Sequence, residues 1–220
     1  MTTTPGFQRW RHSAPKAETH IVFPDGCRDL LVLRPPCAPV RVLVTELDFL
    51  PRRAALDSGV EIEGFRLRPG ATISPMALEA IAASPECVET ILGDECQRRD
   101  SLDDVIMALS EPGATVLSAS KRLGISVRTL QRSFLGRALP PPDFWRLLAR
   151  ARRAVGMLRS EMSLAEIADA CGFSDQAHMT RDLTRWFGVT PAGLCRRQPT
   201  LALLCQPALG NWTGEQISTR

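Results

Sequence analysis

No run of roughly 18 consecutive apolar residues, the minimum for a membrane-spanning helix, occurs in this 220-residue chain. The opening stretch MTTTPGFQRWRHSAPK also lacks the apolar core of a signal peptide. The sequence therefore predicts neither export nor membrane insertion, and a cytoplasmic location. Only three histidines are present, with no nucleophile elbow, Walker loop or dinucleotide fingerprint. Nothing in the sequence points to an enzyme or to a bound cofactor. The seven cysteines are an odd number and form no CxxC pair or zinc-finger spacing. They are read as reduced thiols, and no metal is assigned.

Charge is segregated. Residues 1–111 hold 12 Lys/Arg against 17 Asp/Glu, a net of −5, whereas residues 112–198 hold 14 against 6, a net of +8. A basic half is what a polyanion binder needs, because neutralising phosphates releases counterions, while an acidic half is repelled from the same ligand. Lysine is nearly missing there, since 13 of those 14 cations are arginine. The planar guanidinium fork matches phosphates and guanine edges, which favours nucleic acid over a merely solubilising surface.

From Thr19 to about Arg68 the chain runs as short apolar or alternating segments (HIVF, LLVL, VRVLV, VEIEGFRL) broken by PDG, PP and PGA. These are strand and turn signals. Helical spacing takes over near residue 74, predicting helices over 74–83, 85–97 and 101–109, the last capped by Ser101. Glu111-Pro112-Gly113 is read as a linker, because Pro and Gly stop the preceding helix where the charge balance flips. The expected architecture is α+β: a mostly-β sensor or dimerisation domain over 1–73, a helical connector over 74–111, an all-α DNA-binding domain over 112–198 and a tail over 199–220.

Sliding the chain 48 residues along itself places Gly124-Ile125-Ser126 on Gly172-Phe173-Ser174, with Val116 on Leu164, Ser120 on Ala168 and Leu123 on Cys171. After the serines the offset becomes 49, matching Leu130 to Met179 and Phe134 to Leu183, which implies one extra residue in the second copy. Each copy reads as a helix stopped by a glycine able to turn left-handed, an apolar residue, a capping serine and a second helix. That is helix-turn-helix grammar. Between the copies, residues 143–159 carry Phe144, Leu147, Leu148, Ala151, Val155 and Leu158 at helical spacing. Such a connecting helix spans ~25 Å and suits two reading helices held ~34 Å apart, one in each of two successive major grooves.

The segments KRLGISVRTLQRSF, SLAEIADACGFSDQAHMTRDLTRWFGVTP and the closing CRR resemble the DNA-binding domain of the AraC/XylS family of transcription regulators over Thr115–Arg197. The resemblance implies seven helices in two subdomains, each with one recognition helix. It implies that Arg128, Gln131 and Arg132 of the first recognition helix, and Gln176, His178, Thr180 and Arg181 of the second, face DNA, with Leu130, Phe134, Met179, Leu183, Trp186 and Phe187 turned inward. Double-stranded DNA and RNA polymerase are the expected partners, with a homodimer as a further expectation.

In the acidic half, PDGCRDL (Pro24–Leu30) and FRLRPGA (Phe65–Ala71) resemble segments of a subgroup of AraC-like regulators. Asp25-Gly26 suits a tight hairpin turn and Pro69-Gly70 a turn ending the sheet. The sharper reading is an effector site around Cys27, with Asp25, Asp29, His20, Arg66 and Arg68 as neighbours. Its ligand is a small molecule or a protein partner: the arginines clasp a carboxylate, Cys27 responds as a thiol, or His20 and Cys27 take a metal. A module that kept the fold but lost DNA binding is the remaining alternative. Its mark would be missing outward Arg and Gln residues.

Overall fold

The computed structural model describes residues 6–97 and 101–212. It is an α+β chain in which strands precede helices. β1 (Phe7–Ala14), β6 (Val60–Leu67), β3 (Asp29–Arg34) and β4 (Arg41–Val44) form a four-stranded sheet in that order, and β2 (Glu18–Val22) pairs with β5 (Arg52–Leu56) in a separate ribbon. Every pairing is antiparallel. Strands were expected at four of these places. β1 and β5 were not, because FQRWRHSA and RRAAL put charged residues where a strand signal needs apolar ones.

The PDGC segment does not make the expected hairpin. β2 and β3, on either side of it, belong to different sheets, so the turn carries the chain from one sheet to the other. Asp25 Oδ1 accepts from the Cys27 amide at 2.9 Å, and Gly26 takes φ +75°. The second motif is bound to the first: the Gly70 amide donates to Gly26 O at 3.1 Å and the Leu67 amide to Arg28 O at 2.8 Å. Gly70 itself has φ +78°, and a Cβ there would lie 2.2 Å from Ile106 Cδ1, so only glycine lets this turn approach the helices.

α1 (Pro75–Ala83), capped by Ser74, and α2 (Val88–Gln97), entered through a 3-10 turn at Pro85–Cys87, cover one face of the four-stranded sheet. Their Ile81, Val88 and Leu92 pack with Leu30, Val32, Phe65 and Leu67. Seven further helices follow: α3 (Ser101–Leu109), α4 (Val116–Arg122), α5 (Val127–Leu135), α6 (Pro142–Met157), α7 (Leu164–Ala170), α8 (Gln176–Phe187) and α9 (Pro191–Arg196). The side chain of Ser101 lies outside the described residues, so its expected cap does too. α3, expected in the connector, packs against α6 and α4, and its Leu102, Val105, Ile106 and Leu109 lie in one core with α4–α9. Glu111-Pro112-Gly113 forms an exposed turn between α3 and α4.

α6 runs through the centre of this core. Trp145 is fully buried and donates Nε1–H to Pro140 O at 3.1 Å, and Leu148, Ala151 and Val155 share its inner face. Trp145 and Trp186 are both core residues, the second as expected. The tail, whose sequence carries no structural expectation, forms α10 (Gln198–Leu204), whose Leu201 and Leu204 enter the same core. Beyond it the chain turns back to the PDGC segment, where the Leu209 amide donates to Asp25 O at 3.0 Å. Phe23 and Leu47 from the sheet half also join the helical core, so the two halves meet over packed surface.

Candidate nucleic-acid interface

Both helix-turn-helix units are built the same way. α4 begins in a capping box of Thr115 and Ser118, α7 in one of Ser163 and Glu166. Each helix ends on a left-handed glycine, Gly124 at φ +65° and Gly172 at φ +72°. The following amide then reaches back six residues inclusive: Ile125 N–H to Ser120 O at 3.1 Å, Phe173 N–H to Ala168 O at 2.9 Å. Ser120 and Ala168 are both buried, the small residues the close approach of two helices requires.

The copies differ at the second cap. Ser126 caps α5 by accepting from the Thr129 amide at 3.1 Å, as expected. In the second copy Asp175, not Ser174, caps α8, accepting from the His178 amide at 2.6 Å. This one-residue shift of the cap is the physical content of the change in offset from 48 to 49. The same hydrogen bond holds the Asp175 carboxyl below its ordinary range, so the helix starts on a fixed negative charge.

On α5, Arg128, Gln131 and Arg132 are exposed on one stripe, with Leu130 and Phe134 buried beneath. On α8, Gln176 and Arg181 are exposed and Thr180 is half-buried, over buried Met179, Leu183, Trp186 and Phe187. His178 is engaged by its own domain. Its Nδ1 lies 3.0 Å from Ser174 Oγ, its ring stands edge-on to Phe173 at 5.3 Å, and its Nε2 lies 3.5 Å from Arg150 Nη2. Arg185, one turn beyond Arg181 on the same ridge, is exposed and was not anticipated. Its signal was the four-residue spacing from Arg181.

The arginines of α6 serve the fold instead. Arg150 lies 4.1 Å over the Phe173 ring and 2.6 Å from Asp182 Oδ2, pinning the second unit to the connecting helix. Arg153 donates to Ser110 O at 2.6 Å and Arg146 pairs with Asp143 at 2.8 Å. Arg152 is buried and donates to Gln206 O at 2.8 Å. Exposed positive charge lies on α5, on α8 and around Arg196 and Arg197, with Lys121, Arg122, Arg137 and Arg159 exposed besides.

In the sheet half the structure brings together Asp25, Cys27, Asp29 and Arg66. Arg66 is 3% exposed and is held by Asp25 Oδ2 at 2.7 Å, Asp29 Oδ1 at 3.4 Å and Pro207 O at 3.4 Å. His20 and Arg68 stand elsewhere: His20 against Glu18, and Arg68 on Asp103 of α3 and on Cys96 O at 2.9 Å. Cys27 is 6% exposed, and burial, with Asp25 next in effect, pushes its thiol well above the ordinary value. A thiol so held stays protonated and shielded. Iodoacetamide is accordingly expected to alkylate the exposed Cys37 and Cys87 of the native chain and to spare Cys27 and the buried Cys171, read by peptide mass spectrometry. Rapid native alkylation of Cys27 would restore the thiol-sensor reading.

Two cavities flank the loop that follows α5. One, about 430 Å³, is lined by Arg68, Thr72, Glu95, Asp103 and Arg137, and the other, about 450 Å³, by Arg28, Glu46, Phe49 and Pro140. Between them Ala138 holds φ +51°, the positive-φ residue other than glycine among those described. Among the described residues no helix is long and apolar enough to cross a membrane.

A protein family described as a helix-turn-helix domain matches residues 119–197. The HTH-type transcriptional regulator RipA of Corynebacterium glutamicum is 35% identical over 69 residues, which cover 31% of this chain and 21% of that protein. The chain thus spans about a fifth of the length of this curated relative. Among solved structures, a transcriptional regulator with an AraC-type DNA-binding domain from Chromobacterium violaceum is 26% identical, covers 49% of this chain and 90% of its own, and has a TM-score of 0.37. ToxT from Vibrio cholerae is 10% identical, covers 85% of this chain and 97% of its own, and has a TM-score of 0.43. With its paired helix-turn-helix units and the family match over 119–197, the chain carries a helix-turn-helix domain over that segment and is similar over 69 residues to the transcriptional regulator RipA.

Proposed function

We propose that this chain is a sequence-specific DNA-binding transcription regulator that lays α5 and α8 into successive major grooves of one duplex. One observation carries the reading: two helix-turn-helix units hang on a single buried connecting helix, each with long polar side chains outward over an apolar inner face. Arg128, Gln131 and Arg132 of α5 are the principal base readers, and Gln176, Thr180 and Arg181 of α8, with Arg185, are chiefly positioning contacts. Asp175 at the head of α8 supports this asymmetry, since its charge opposes a phosphate at that helix end. RNA polymerase is the protein partner such a regulator addresses.

The sheet half is proposed to bias the reading half by binding a small effector or a partner. Support comes from the two cavities, which reach from sheet-half residues to the loop between α5 and α6. The core formed by α3–α10 marks the reading domain in this proposal, with the sheet, α1 and α2 as the regulatory one. A module that lost DNA binding is disfavoured by the exposed Arg and Gln stripe on α5.

The test is the salt dependence of affinity of the full chain for duplex DNA, measured by fluorescence anisotropy. About six phosphate contacts give a slope of log K against log salt near −5. A flat dependence, or no binding below millimolar DNA, is incompatible with the assignment.

A further inference from the structure

β1 and β2 belong to different sheets, yet three of their side chains converge where the sheets adjoin. Glu18 Oε1 lies 2.5 Å from His12 Nε2 and 3.2 Å from His20 Nε2. The two imidazole rings stand 5.0 Å apart at 87°. One donor atom from each residue lies within 4.8 Å of the other two, and among the described residues this is the one group of three or more His, Cys, Asp or Glu that converges so. Glu18 and His20 share a face because alternate residues of a strand do. Their cross-strand partners are Leu56 and Ala54, so no cation stands opposite them in the ribbon. His12 and Glu18 are half-buried while the His20 side chain is 47% exposed, leaving one side open to water.

We propose that His12, Glu18 and His20 form a binding site for a divalent transition-metal ion of the zinc class, with a fourth position open to water or an outside ligand. Two imidazole nitrogens and one carboxylate oxygen are a donor set that suits zinc, cobalt or nickel, whereas magnesium and calcium prefer oxygen alone. Metal–ligand bonds of ~2.0–2.1 Å in a tetrahedron set ligand atoms about 3.3 Å apart. The Glu18–His20 separation of 3.2 Å already meets this, the His12–Glu18 separation of 2.5 Å must open by about 0.8 Å, and the two imidazole nitrogens start within 4.8 Å of each other. The ion would join the four-stranded sheet to the ribbon, so binding would stiffen the sheet half independently of any DNA contact.

The experiment uses the full, tag-free chain, stripped with chelator and titrated with Co²⁺. The wild type is expected to take one equivalent with the visible bands of a four-coordinate ion, Zn²⁺ to displace it, and Zn²⁺ to raise the melting temperature. His20→Ala and Glu18→Gln are expected to weaken Co²⁺ by about tenfold or more, as loss of a ligand does, while His178→Ala and Cys37→Ser bind as wild type. Circular dichroism without metal establishes that His20→Ala, at an exposed position, remains folded. Absence of saturable binding by the wild type overturns the proposal, as does His20→Ala binding within tenfold of wild type or loss of binding in Cys37→Ser.

Discussion

Replacement of Arg66 by methionine is expected to lower the unfolding free energy by about 3–5 kcal/mol, the usual cost of leaving a buried charge without its partner. Arg66 is almost wholly enclosed, and Asp25 and Asp29 both converge on it. Burial opposes its charge, but the two carboxylates outweigh burial and raise its pKa above the ordinary value. Methionine keeps the apolar stem and removes the charge, so the two half-buried aspartates lose the cation between them. The loss also frees Pro207 O, one of the bonds that returns the tail to the PDGC turn. Urea denaturation should show a lower midpoint with an unchanged slope. Arg146→Met is the control: its pair with Asp143 lies at the surface, where such pairs are worth ~0–1 kcal/mol. Adding Asp25→Asn and Asp29→Asn to Arg66→Met should recover part of the loss, because asparagine still accepts from the Cys27 amide and from Trp10 Nε1 without a charge. An Arg66→Met loss no larger than the control would mean that water reaches the cluster.

Arg128→Ala combined with Arg132→Ala is expected to weaken operator binding by about 30-fold at least, since each well-made arginine contact to a base contributes ~1–3 kcal/mol. Both side chains are exposed, so the melting temperature should hardly move. Arg181→Ala with Arg185→Ala should weaken binding less and reduce the salt slope, leaving base preference nearly intact, as phosphate contacts do. Gln131→Ala should relax preference at one base pair. Competition against operators altered at single positions separates the two classes. A change of preferred sequence on losing Arg181 and Arg185, with none on losing Arg128 and Arg132, reverses the hierarchy.

The reading half was legible because its constraints are local. Glycine-ended helices, small residues at the crossing and a buried stripe over 143–159 lie within short windows, and the structure places Leu130, Phe134, Met179, Leu183, Trp186 and Phe187 inward as the family resemblance implies. Even there, the cap at Asp175 was misassigned to Ser174, since serine and aspartate both cap well and sequence alone does not rank them. The sheet half was less legible. Its contacts are long-range: Arg66 and Pro207 are 141 residues apart, and the tail that closes over PDGC has no pattern beyond the short LALL. β1 escaped because its inward positions include Gln8 and His12 alongside Trp10. Missing β1 hid the meeting of His12 with His20, and it left His20 grouped with Cys27, which lies instead among Asp25, Arg66 and Asp29.

In the proposed mode, one chain reads two successive turns of duplex through two unequal helix-turn-helix units. Hydroxyl-radical footprinting of the full chain on an operator located by genome-wide mapping of bound sites tests it most directly. Two protected segments on one face of the duplex are expected, with centres about 10–10.5 base pairs apart. Arg128→Ala should deplete one segment and Arg181→Ala the other. A single protected segment, or two that both survive each substitution, would contradict it.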